Sequence, residues 1–169
     1  MAEVSIKTLM RLGPHRFIPV EEYVGPAPRA YVEGALVIAV GGVVLLDEKQ
    51  WDLIDQLWYY LVEAIERLSR GEGSETYFPD DPAWLRIDVD RDGATATVTV
   101  KTDVQRQARA KTTAWLAAFG GAAIVFFERF AHVPHSGGNH RAICEEALTR
   151  LRAALSRERP RQSRRHHHR

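Results

Sequence analysis

One cysteine, Cys144, is all the chain carries, so no internal disulfide can form and the disulfide-stapled secreted scaffolds are excluded. Lysine is nearly missing as well, with 4 Lys against 19 Arg. No physical demand of a fold requires that ratio, and it reads as the mark of a GC-rich genome. Apolar runs of membrane-spanning length are missing: residues 35–46 and 115–127 form runs of 12 and 13, short of the ~20 a spanning helix needs. Both are expected to be buried core, with no membrane partner. Residues 1–10 lack a basic stretch leading into an apolar run, so no signal peptide is expected and a cytoplasmic location is the default. Nucleotide-binding glycine motifs of the G-x-x-x-x-G-K and G-x-G-x-x-G kinds do not occur, and Ser136 stands in no G-x-S-x-G elbow.

What is present is a charge split hidden in a sum of +1 over 169 residues. Residues 150–169 hold eight arginines and one acid, a net +7, while residues 47–92 hold 13 acids and 5 bases, a net −8. Such asymmetry bears on partners rather than on fold. The length fits one domain, and 45% hydrophobic residues exclude wholesale disorder. The expected organisation is a single domain over 1–157 and a mobile, Arg/His-rich tail over 158–169.

Periodicity predicts an α+β fold. Two hairpins, 31–46 and 84–101, supply an antiparallel sheet, the first turning at Gly41-Gly42 and the second at Asp90-Arg-Asp-Gly93. Trp51, Ile54, Trp58, Leu61, Ile65 and Leu68 recur at steps of three and four, which predicts a helix over 48–70 with Asp47 and Gln50 as its capping box. A second helix is expected over 104–131, where Gly120-Gly121 either breaks it or lets it approach the sheet. A third is expected over 140–157, with Asn139 as its cap. Two or three helices then cover the sheet.

The face of the first helix opposite its apolar stripe reads Asp52, Asp55, Tyr59, Glu63, Glu66. Four carboxylates without interleaved lysine, around one aromatic ring, suit capture of a basic protein by steering and a central anchor. Asp80 and Asp81, in a loop stiffened by Pro79 and Pro82, extend this candidate surface. Three other patterns have chemical content. Asp88-x-Asp90-x-Asp92-Gly93 begins like a calcium loop, but position twelve is Thr99 rather than the bidentate Glu, so a hairpin turn is expected. His132, His135, His140 and Cys144 fall within 13 residues and could gather a zinc ion, or pair a histidine with the thiol as a nucleophile. Their spacing matches no zinc finger, and separate roles are expected, with no metal and no cofactor. Finally, the terminal arginines could touch nucleic acid, although the acidic body offers no broad basic footprint.

The string Trp51-Asp-Leu-Ile-Asp-Gln-Leu-Trp58, followed by Phe78-Pro-Asp-Asp-Pro82 before a hairpin, resembles a group of small actinobacterial-type uncharacterised proteins, some of them like the immunity proteins of polymorphic toxin systems. The similarity spans about 47–130. It implies a compact α+β protein that acts by binding, without cofactor and without catalysis. The expected function is therefore a protein-binding one, of immunity or inhibitor type, with a basic partner such as a toxin domain. A small metal-dependent or thiol hydrolase built on the His/Cys cluster is the alternative. The aromatic-rich helices also leave room for a second copy, as a homodimer.

Overall fold

A computed structural model describes residues 2–25, 32–133 and 139–157. The first sheet is built from β1 (Val4–Gly13), β2 (Arg16–Pro19), β3 (Glu33–Val40), β4 (Val43–Leu46) and the two-residue β5 (Asp52–Leu53). Its order is β2-β1-β3-β4, with β5 also paired to β3. Helix α1 (Ile54–Ser69) follows directly. The second sheet, β6 (Ser74–Tyr77), β7 (Trp84–Val89), β8 (Thr95–Lys101) and β9 (Gln105–Lys111), is a meander in sequence order. Helices α2 (Thr112–Ala131) and α3 (His140–Ser156) complete the chain. Every strand pairing is antiparallel. The α+β class is as expected, with the strands divided between two sheets rather than gathered in one.

Helices α1 and α2 each pack on both sheets, and α3 packs on α1 and α2. The sheets approach each other at β4 and β9, where Arg106 donates to the carbonyl of Val44 at 3.1 Å. The core is one cluster running through both sheets and all three helices. Its centre is aromatic: Trp58 of α1 lies 6.4 Å from Phe126 of α2, and its indole N–H donates to the Thr8 hydroxyl on β1 at 3.0 Å. Trp115 is as deeply buried and donates to the carbonyl of Ala96 on β8, also at 3.0 Å. Each large ring thus finds a partner for its one polar atom, which burial would otherwise penalise.

Several boundaries differ from the sequence reading. Asp47 caps a 3-10 turn over Glu48–Gln50, accepting from the Lys49 amide at 3.0 Å, and α1 starts only at Ile54. Trp51 leaves the apolar stripe: it is 36% exposed, with the Arg11 guanidinium 3.9 Å above its ring. Residues 105–111 are a strand, not the first two turns of α2. Ala110 is buried and Ala108 partly so, while Gln105, Gln107, Arg109 and Lys111 alternate with them on the exposed face. Small inward residues hide this alternation, and pairing along the whole of β8 overrides the helix propensity of Gln, Arg and Ala. Helix α2 does not break at its glycines. A β-carbon on Gly120 would lie 2.6 Å from Leu155, so this glycine brings α2 close to α3 rather than to a sheet.

Helix α2 is long and apolar enough to cross a membrane, with mean hydropathy 1.4, and 44% of that stretch is buried inside the protein. Trp115, Phe119, Phe126 and Phe130 all point into the core, an arrangement that a core helix shares with that composition.

Candidate functional site

The acidic residues read from the sequence divide into three groups. Asp52 belongs to none of the exposed ones and is a correction: it is 2% exposed, because it lies in β5 rather than on the helix. Its carboxylate accepts from the amides of Leu53 at 2.6 Å, Asp80 at 3.1 Å and Asp81 at 2.9 Å. It fastens the 78–82 loop to the start of α1, while Phe78 and Ala83 at the loop's ends plug the core. The Asp81 carboxyl is raised above the usual range by burial first, then by the charges of Asp52 and Asp80. Glu66 is the second departure. It faces α3, where Arg150 binds it with two nitrogens, at 2.5 and 3.3 Å. That pair joins two helices and is only partly open to solvent.

Asp55, Tyr59, Tyr60 and Glu63 remain as the outer ridge of α1. Tyr59 and Tyr60 are 41% and 46% exposed, large areas for tyrosines at the middle of a helix, and Glu63 is exposed beside them. A groove opens on each side of this ridge. The first, of about 540 Å³, lies between α1, the end of α2 and the start of α3; Asp55, Tyr59, Tyr60 and Ile143 line it above Phe127 and Phe130. The second, of about 480 Å³, lies between α1 and β6, lined by Tyr60, Glu63, Arg67, Glu75 and Tyr77. Tyr60 did not stand out in the sequence, and Tyr77 did so only as an aromatic flanking the Pro79–Pro82 loop. The first follows Tyr59 directly and the second belongs to a short strand, so only the fold places them together.

His140 and Cys144 also line the first groove, one turn apart on α3. Their geometry does not activate the thiol. The sulfur is 4.0 Å from Nε2 of His140, and that same nitrogen lies 2.7 Å from the carbonyl oxygen of Phe130. A carbonyl only accepts, so the proton sits on Nε2, and the ring presents its N–H rather than its basic nitrogen near the sulfur. Burial, helped by the charges of Asp55 and Glu145, pushes the thiol up to about 11. His132 is exposed at the end of α2 and does not line the groove, and His135 lies outside the described residues, as does the tail 158–169. Among the described residues, no three His, Cys, Asp or Glu side chains come together as metal ligands.

The aspartates of the 90–93 turn are engaged within the hairpin. Asp90 accepts from the Thr95 hydroxyl and from Arg109, which hold its carboxyl below the usual range, and Asp92 accepts from the Ala94 amide at 2.9 Å. Asp88 pairs with Arg86 at 3.0 Å. No family model matches the chain, and neither a curated protein nor a solved structure does.

Proposed function

We propose that this protein works by binding, without catalysis, and that it holds a basic protein partner against the outer ridge of α1, in the manner of an inhibitor or immunity protein that occludes a cationic cleft. One observation carries the reading: Tyr59 and Tyr60 stand exposed side by side beside the exposed carboxylate of Glu63, with a groove along each flank. Tyrosine offers a large contact area at little entropic cost and is favoured where binding energy concentrates. Carboxylates around it steer a cationic partner and raise its association rate. The thiol version of the hydrolase alternative gains no support, because burial pushes the thiol up to about 11 and the histidine nitrogen nearest to it is a donor.

The test is association with the product of the neighbouring reading frame, measured by interferometry at low and high salt. Glu63→Lys is expected to slow association and flatten its salt dependence, with dissociation little changed. Tyr59→Ala is expected to speed dissociation, at a cost of roughly 2 kcal/mol in affinity. Unchanged kinetics in both variants would remove this ridge as the binding site.

A further inference from the structure

We propose that the open edge of β6 receives an extended, arginine- or lysine-rich segment of the partner protein as a fifth strand of the second sheet. This rests on the reading of the α1 ridge above and names how the partner would engage it.

The phase of the ladder fixes which backbone groups are available. Ser74 pairs with Ile87, Thr76 with Leu85, and in the same register the Phe78 amide donates to the carbonyl of Ala83 at 3.0 Å. In an antiparallel pair the hydrogen-bonded positions alternate. Residues 74, 76 and 78 therefore turn their N–H and C=O toward β7, and Glu75 and Tyr77 turn theirs away from it. Among the described residues nothing bonds to the main chain of either. Gly73 has the same outward phase, and its carbonyl accepts from Arg67 of α1 at 2.7 Å. Helix α1 closes that end of the edge and leaves Glu75 to Tyr77 as the pairing stretch. The strand at the other end of this sheet differs, since β9 abuts β4.

An unpaired strand edge beside a helix is the arrangement that takes up an extended peptide, with main-chain bonds giving affinity and the flanking side chains giving choice. Both walls of the adjoining groove carry the same pair of features. Toward α1, the groove of about 480 Å³ offers Tyr60 and Glu63. From β6, Glu75 and Tyr77 line the same groove, both exposed, Tyr77 by 65%, while Thr76 between them is buried. A strand laid along the edge would thus lie in a groove that carries two carboxylates and two tyrosines. Arginine matches that pairing by charge and by stacking on the ring.

The probe is a capped hexapeptide of alternating arginine and valine, added to the full-length protein and followed by amide NMR. Binding is expected to shift the Glu75 and Tyr77 amides and slow their exchange. Methylating the peptide's alternate backbone nitrogens keeps its charge and removes its donors, and should weaken binding roughly tenfold. Glu75→Gln should weaken it several-fold, and a glutamate-for-arginine peptide should not bind. Equal binding by the methylated peptide would overturn strand addition while leaving an acidic binding surface. Shifts confined to Tyr59 and Ile143 would move the segment to the other groove and overturn it too. Slow exchange of the Glu75 and Tyr77 amides in the free protein would mean that the chain's own terminus or a second copy fills the edge, which overturns an external partner. Failure of the ridge reading is seen separately, as partner kinetics insensitive to Tyr59→Ala.

Discussion

The carboxylate of Asp52 and the thiol of Cys144 are both buried side chains with chemistry, and both serve the fold. Asp52 satisfies three backbone amides, two of them from a loop 28 and 29 residues along the chain. Removing it leaves donors without acceptors in a place with little access to water. Asp52→Ala is therefore expected to cost about 3 kcal/mol in urea unfolding, whereas Asp80→Ala, where the protein uses the amide and not the side chain, should cost less than about 0.5 kcal/mol. Equal losses would mean that the loop is held by something other than this carboxylate. For Cys144 the consequence is kinetic. The thiolate is the reactive form, and raising the group from 9.0 to about 11 leaves it protonated at pH 8. Iodoacetamide should react roughly 100-fold more slowly than with an unperturbed thiol at that pH, and the rate should climb as pH rises toward 11. Urea should abolish the protection. A rate in the native protein equal to that of a free thiol would put Cys144 back among candidate nucleophiles.

At the scale of elements, α1 was legible because a wide stripe of Ile54, Trp58, Leu61, Ile65 and Leu68 has only one way to be buried. The strands of the 84–101 hairpin were legible for the same reason at period two. Helix and strand parted company with the sequence where residues were small or short-range signals were borrowed. Ala108 and Ala110 fit a helix face and a strand face equally well, and only the full-length pairing with β8 decides between them. Asp47 carries a real cap, but for a 3-10 turn that precedes the helix. The two glycines of α2 look alike in sequence and differ in surroundings. Gly121 has open space where a β-carbon would go, and Gly120 has Leu155. Gly121→Ala should then raise stability by about 1 kcal/mol through helix propensity alone. Gly120→Ala should gain none of this, because Leu155 must move and the contact of α2 with α3 loosens. Thermal unfolding of the two variants distinguishes them, and equal stabilisation would show that the close approach carries no energetic weight.

For the molecule as a whole, charge asymmetry pointed to α1 and its following loop, but it could not sort the carboxylates by duty. Asp52 ties down a loop and Glu66 ties down α3, so the ridge reads as acidic through fewer groups than the count suggested. The tyrosines flanking its grooves come from segments 17 residues apart, and only the packing of β6 along α1 sets Tyr60 beside Tyr77. The same packing bears on stability. Helices α1 and α2 each rest on both sheets, and Trp58 and Trp115 bond to strands in different sheets from within one hydrophobic cluster. Neither sheet can lose its helices without stripping the other. Unfolding should accordingly be a single cooperative event. Native-state hydrogen exchange in low urea reads this directly: the slowest amides of Leu36 and Ile38 in the first sheet and of Leu85 and Val98 in the second should report the same opening free energy and the same urea dependence. A gap of more than about 1 kcal/mol between the two sets would divide the chain into two folding units and place the shared helices with only one of them.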